Sequence, residues 1–363
     1  MSKSYSFTNI EKYYSTGTVP AKDLDIELDQ TINIWRLSFM PTTIAEASQC
    51  FAFCGAVLLT KDFKIDSNQT VGDLIEPVRL DLLKKWQTSK LDVLARTKDY
   101  IAYNQTERHM RTIAYNEVCK NLSEIINLQK ALLPAVREIA GDSETEISTD
   151  SDEGTVVNLQ VFAKEATGST QQQHGAHSDR VDTTAVVTLE NIGPHGELVF
   201  IDNYGESCEA LGLDPHQNFN NNLKTILAQE PDSIRFRVHS AMPGTIVLVR
   251  TDKDIHFISS KSSEDVLTNI SPQQLKQVQN GNSVLGRGII NMAFETKRCR
   301  EIDLLAHKIE TESAFSAVDH DYKTFFKQLN DALNQAKLDS EIKEAVRGAI
   351  ITRVSAQDLY GED

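Results

Sequence analysis

The feature that most constrains this chain is a succession of short β-branched segments between Thr155 and about Thr296. VVNLQVFAK, DTTAVVTLE, GELVFID, SIRFRVH, TIVLVR and GIINMAFE each have the length of a strand, and turn residues separate them. Strands at this spacing predict a sandwich or barrel rather than alternating βα units. The insertion Ser259 to Val284 is rich in Ser, Asn and Gln. It predicts a loop carrying one short helix over Ser271 to Gln279, with Pro272 at a first helical position.

Helical texture flanks this core. Thr70 to Leu94 opens with a Thr cap and continues with apolar residues at three-to-four spacing; Glu107 to Ala140 repeats the pattern up to Gly141. CFAFCGAVLLTKDFK predicts a helix ending at Cys54-Gly55, then a buried strand AVLL. The acidic run Asp142 to Gly154 predicts a loop or internal linker. Beyond Thr296, Tyr322 to Ala336 and Ser340 to Arg353 show amphipathic helical spacing. The expected organisation is one α+β domain over residues 1–363, with a mostly helical part over 1–150, a β core over 155–296 and helices over 300–363. A chain of 363 residues is ample for such a core.

Charge and cysteine usage narrow the classes of partner. The net charge of −15 argues against a nucleic-acid partner, because phosphate binding draws on clustered Lys and Arg. No stretch approaches the roughly 18 apolar residues that span a bilayer, so no membrane association is expected. The opening MSKSYSFTNIEKYYS has no apolar run, and a cytoplasmic location is the expectation. Five cysteines, scattered and odd in number, predict buried free thiols rather than disulfides or a zinc site.

Chemistry-bearing residues occur in a fixed order within the β region. His177-Ser178-Asp179 comes first, following STQQQHGA. Next are the strand-and-turn TTAVVTLENIGPHGELVFID, then Pro243-Gly244 and TIVLVR leading to His256, and last Arg287 in GRGIINMAF. Alternate strand residues point to one side, so the i, i+2 spacing lets His177 and Asp179 face one metal while Ser178 faces away. Two imidazoles and a carboxylate bind Fe(II) facially and leave three adjacent positions open. His239 is the rival to His256. Asp182 is the rival to Asp179, but its odd offset from His177 puts it on the other face.

This ordered set resembles the core of iron(II)/2-oxoglutarate-dependent oxygenases, nearest in texture to their phytanoyl-CoA-dioxygenase-like branch. The resemblance covers about residues 155–296. It implies a double-stranded β-helix, a jelly-roll and cupin-like core, with Fe(II) held by His177, Asp179 and His256. It also implies that Arg287 binds the distal carboxylate of 2-oxoglutarate through its planar fork of donors, with O2 as the second cosubstrate. Arg287 follows His256 by 31 positions, longer than the family's usual interval, so the Ser259 to Val284 insertion must loop out. Asp179 argues against the related halogenases, which carry a small residue there. The implied activity is hydroxylation, desaturation or oxidative cyclisation of a small molecule, with release of succinate and CO2. Arg180, beside the metal pair, favours an amino-acid-like or carboxylated substrate, and Asn158 and Gln160 are further candidates to line the barrel. The resemblance specifies neither the substrate nor the oligomeric state. The alternative is a cupin-like binding or structural module without oxygenase activity.

Overall fold

The computed structural model describes residues 11–24, 26, 28–87, 100–105, 108–113, 123–148, 156–162, 181–192, 195–213, 219–240, 242–251, 255–260, 271–280, 286–313, 322–340 and 342–350. In chain order the elements are β1 (Tyr14–Pro20), β2 (Thr31–Leu37), α1 (Ile44–Cys54), β3 (Ala56–Leu59), α2 (Val71–Gln87), β4 (Tyr100–Gln105), β5 (Arg108–Ile113), α3 (Ser123–Ala140) and β6 (Glu146–Ile147). Then come β7 (Val156–Phe162), β8 (Thr183–Ile192), β9 (His195–Asp202), α4 (Tyr204–Ala210), α5 (Phe219–Gln229), β10 (Arg235–His239), β11 (Thr245–Val249) and β12 (Ile255–Ser260). The chain continues through α6 (Pro272–Gln279), β13 (Gly286–Glu295), α7 (Lys297–Ser313) and α8 (Tyr322–Gln335).

Local chemistry sets several boundaries where the sequence predicts them. Thr70 and Asp73 cap α2 reciprocally: the Asp73 amide donates to Thr70 Oγ1, and the Thr70 amide donates to Asp73 Oδ2. Ser271 and Gln274 do the same around Pro272, which opens α6. Gly55, at φ 64°, ends α1 in the left-handed conformation and turns the chain straight into the fully buried β3.

Among the described residues the strands form two sheets. One runs β1-β2-β10-β9-β12, and the other β3-β11-β8-β13-β7-β5-β4, with β6 on the far end of β13. From β7 onward all six predicted core strands are present, and the last strands cross repeatedly between the two sheets.

The five-stranded sheet is buried on both faces at β9 and β10 and exposed along much of β1, and its period-2 alternation sorts the residues. Ile32, Ile34, Val199, Ile201, Phe236, Val238 and Phe257 pack with Leu24, Ile26, Tyr204, Cys208, Leu223 and Ile226 on the side covered by α4 and α5. Leu37, Leu198 and Phe200 turn the other way, into an apolar core shared with Val186, Val247 and Ile289 of the eight-stranded sheet, whose alternate residues Val187, Ile246 and Ile290 lie on the face covered by the helices. A third, separate core joins Ala306 and Ile309 of α7, Leu329 and Leu333 of α8, and Val346 and Ile350. Cys50, Cys54, Cys208 and Cys299 are buried free thiols, as expected, and Cys119 lies outside the described residues. No helix among the described residues is long and apolar enough to cross a membrane.

Four expectations need correction. The part before residue 150 is not mostly helical, since it contributes five strands and the short β6. Within Glu107 to Ala140, Arg108–Ile113 is a strand and Ser123–Ala140 a helix. Strand β5 pairs along its whole length with β7, so tertiary pairing overrides a weak local preference. Asp142 to Gly154 is not wholly a loop, because Glu146 and Ile147 pair with Glu295 and Phe294. The β region also contains α4 and α5, whose apolar residues cover one face of the five-stranded sheet. Beyond it, α7 (Lys297–Ser313) lies in the stretch where helices are expected.

Gly55→Ala should lower the unfolding free energy by about 1 kcal/mol, because a side chain is strained at this φ while an added Cβ would meet only ordinary van der Waals contact with Arg250. Urea denaturation checks this, and an unchanged midpoint would show that the turn does not depend on the glycine.

Candidate metal and cosubstrate site

Cross-strand register assembles the inner face of the five-stranded sheet. Trp35 of β2 stands opposite Arg237 of β10, Arg237 opposite Phe200 of β9, and Phe200 opposite His256 of β12. One row therefore runs Trp35–Arg237–Phe200–His256 across four strands. His256 is buried, at 7% exposure, at the second residue of its strand. Its ring stacks on Phe200, with centroids 5.0 Å apart and planes at 30°.

Arg237 of this row is the centre of a largely buried ionic network. Arg237 Nε donates to Asp202 Oδ1 at 2.6 Å, and Nη1 donates to the Cys54 carbonyl at 3.1 Å. The guanidinium also lies 5.2 Å from the Phe200 ring. His239, on the same strand face as Arg237, has Nε2 3.5 Å from the Tyr14 hydroxyl. Burial, reinforced by the charge of Arg237, pushes the His239 pKa well below its ordinary range, so this imidazole is neutral. Burial holds the Tyr14 hydroxyl above the usual phenol range, so it stays protonated. Arg235 opens the same strand and lies over the Trp35 ring at 5.4 Å.

The facing sheet brings together a second row. Arg287 of β13 stands opposite Gln160 of β7 on one side and Asn191 of β8 on the other. A register shift at Gly288/Ile289 produces this arrangement: Gly288 pairs with Glu190 and Ile289 with Thr188, leaving Leu189 as the extra residue of a bulge. Glu190 is paired with Arg79 of α2, on the helix-covered side. Asn158 falls in the next row with the same spacing, opposite Ile289. Thr188 Oγ1 and Asn291 Oδ1 are buried without a hydrogen-bond partner among the described residues.

The sequence-predicted residues thus fare differently. His256 is placed, buried, on the inner face. The backbones of Arg287, Gln160 and Asn158 are placed in adjacent rows of the opposing sheet, and their side chains are not described. His177, Asp179 and Arg180 lie outside the described residues. Among the described residues no group of three or more His, Cys, Asp or Glu side chains is placed to hold a metal. Asp182 accepts hydrogen bonds from the Thr296 amide and hydroxyl and joins the start of β8 to the end of β13, a structural role that fits its exclusion as a ligand.

Sequence reasoning missed Arg237, Asp202, Tyr14 and Asn191. The signal for the first lay in RFRVH, where alternation puts Arg235, Arg237 and His239 on one face and Phe236 and Val238 on the other. Nothing in the sequence says that the polar face is the one turned inward.

Neither the protein-family models nor the curated proteins contain a match to this chain. Several solved structures are similar to it. An oxidoreductase of the 2OG-Fe(II) oxygenase family from Burkholderia pseudomallei is 11% identical over 72% of this chain and 94% of its own, with a TM-score of 0.39. The non-heme alpha-ketoglutarate-dependent carbocyclase SnoK of nogalamycin biosynthesis is 10% identical over 70% and 86%, with a TM-score of 0.40. A Pseudomonas putida prolyl-4-hydroxylase is 12% identical over 70% and 100%, with a TM-score of 0.33. At such identities and TM-scores, function rests on this chain's own residues.

The neutrality of His239 has a measurable sign. Below its ordinary pKa of about 6.5 the unfolded chain takes up a proton that the folded chain refuses, so stability falls on acidification through that value. Wild-type protein should lose up to about 1.4 kcal/mol per pH unit more than His239→Phe between pH 6.5 and 5.5. Urea unfolding at several pH values checks this, and parallel slopes for the two proteins would refute neutral burial.

Proposed function

We propose that this chain is an Fe(II)- and 2-oxoglutarate-dependent oxygenase, built as one domain around a double-stranded β-helix. It oxidises a small amino-acid-like or carboxylated metabolite by hydroxylation, desaturation or oxidative cyclisation. The observation that carries the reading is the opposition of two rows across a shared core: His256 on the inner face of one sheet, and Arg287 between Gln160 and Asn191 in the other. The strand succession supports it as well, with β7, β13, β8 and β11 adjacent in one sheet and β10, β9 and β12 in the other.

In this reading His177, Asp179 and His256 hold the iron. His256 fits the task as a buried imidazole on the inward face of a strand. When bound, the iron supplies dioxygen activation coupled to decarboxylation of 2-oxoglutarate to succinate and CO2. Arg287 orients the cosubstrate through a paired contact to its distal carboxylate, which a guanidinium makes with two parallel donors. The polar side chain of Asn191 stands beside that position, while Glu190 is held away by Arg79. Val186, Val247 and Ile289 are buried nearby and limit water. Asp202 compensates the charge of Arg237, so the inner face of the five-stranded sheet is polar without carrying a bare cation. Arg180, Asn158 and Gln160 are the residues assigned to substrate.

Anaerobic addition of Fe(II) and 2-oxoglutarate should give a weak charge-transfer band in the visible, absent in His177→Ala, Asp179→Ala and His256→Ala. Arg287→Ala should weaken 2-oxoglutarate binding about tenfold to a hundredfold, the scale of a lost charged hydrogen-bonded pair. Folded wild-type protein without the band would overturn the reading in favour of a cupin-like binding module. Succinate release across candidate substrates then identifies the molecule oxidised.

A further inference from the structure

Phe200 lies between two imidazoles. On one side is His256, at 5.0 Å and 30°; on the other is His239, at 5.3 Å and 34° between planes. The His256 contact is stacked and the His239 contact is tilted, and both are within the centroid distances at which aromatic rings attract. The stack is backed at its far end, where the Tyr14 ring lies 6.3 Å from His239. Tyr14, Phe200 and His239 are each at most 4% exposed, so none of the rings has room to swing away. The guanidinium of Arg237, itself tied to Asp202, also lies over the Phe200 ring.

A ligating histidine works only if its ring plane points a nitrogen lone pair at the metal, and the groups around it usually fix that plane. The backbone of β12 sets the origin of the His256 side chain but leaves its ring torsion broad. The face of Phe200 removes that freedom. We propose that Phe200, backed by His239, is a positioning residue that sets the ring plane of His256 for metal binding. His239 is accordingly a spacer in the stack and not a ligand. This rests on the reading of His256 as a metal ligand.

Co(II) titration of the full chain tests it, read by visible absorption and by affinity, with thermal unfolding of the metal-free protein alongside. Phe200→Leu should weaken Co(II) binding about tenfold and change the visible bands. His239→Leu should weaken it in the same direction, and His239→Phe, which restores a flat ring, should bind within about twofold of wild type. A merely structural role would lower metal-free stability in these variants without moving the affinity or the bands of the folded fraction. Phe200→Leu that binds like wild type with an unchanged spectrum overturns the proposal. If Phe200→Leu does not fold, equal affinities for His239→Leu and His239→Phe overturn it instead. Wild-type protein that binds no Co(II) overturns the metal reading itself, a different result from wild-type binding with an indifferent Phe200→Leu.

Discussion

The guanidinium of Arg237 is buried between two sheets, and the surrounding architecture keeps that charge satisfied. Burying a charge without partners costs far more than folding can spare, so each neighbour is constrained. Asp202 supplies the counter-charge from the end of β9, and the α1 C-terminus supplies a carbonyl at Cys54. Phe200 supplies a face, and Trp35 stands opposite on β2. Helix α1, three strands of the five-stranded sheet and the turn at Gly55 are thereby registered to one group. The same registration places Phe200, and through it His256. The position of the proposed metal ligand is thus secured by an ion pair that is not part of the metal site.

Much of the scaffold is legible in the sequence because its cues are local. Cys54-Gly55 ends a helix because glycine accepts a left-handed conformation, and AVLL follows as a strand because it is apolar throughout and short. Pro272 opens α6 because it lacks the amide that a first helical residue leaves unpaired. The six core strands announce themselves by β-branched runs between turn residues.

What the sequence conceals is relational. Tyr14 and His239 meet across 225 residues, and no pattern within either segment links them. β4 and β5 become strands because β7 offers an edge, and RHMRTI alone does not distinguish that outcome from a helix. His239 looks like a rival ligand in sequence because it closes the strand-like run RFRVH, while His256 follows another, TIVLVR. In the structure they lie on opposite sides of one phenyl ring. The parallel pairing of β2 with β10 is hidden for the same reason, since it joins segments about two hundred residues apart.

The bulge in β8 has a consequence for how such a site diversifies. In strict register Glu190, not Asn191, would stand opposite Arg287, and an acid in that place would act as an internal counter-ion competing with any anionic guest. One unpaired residue shifts the strand's phase, exchanges acid for amide at that position and sends the acid to Arg79. The charge that this wall offers is therefore a property of backbone phase rather than of composition. A relative could change the charge of the compound it admits by gaining or losing one residue there, with every lining side chain kept.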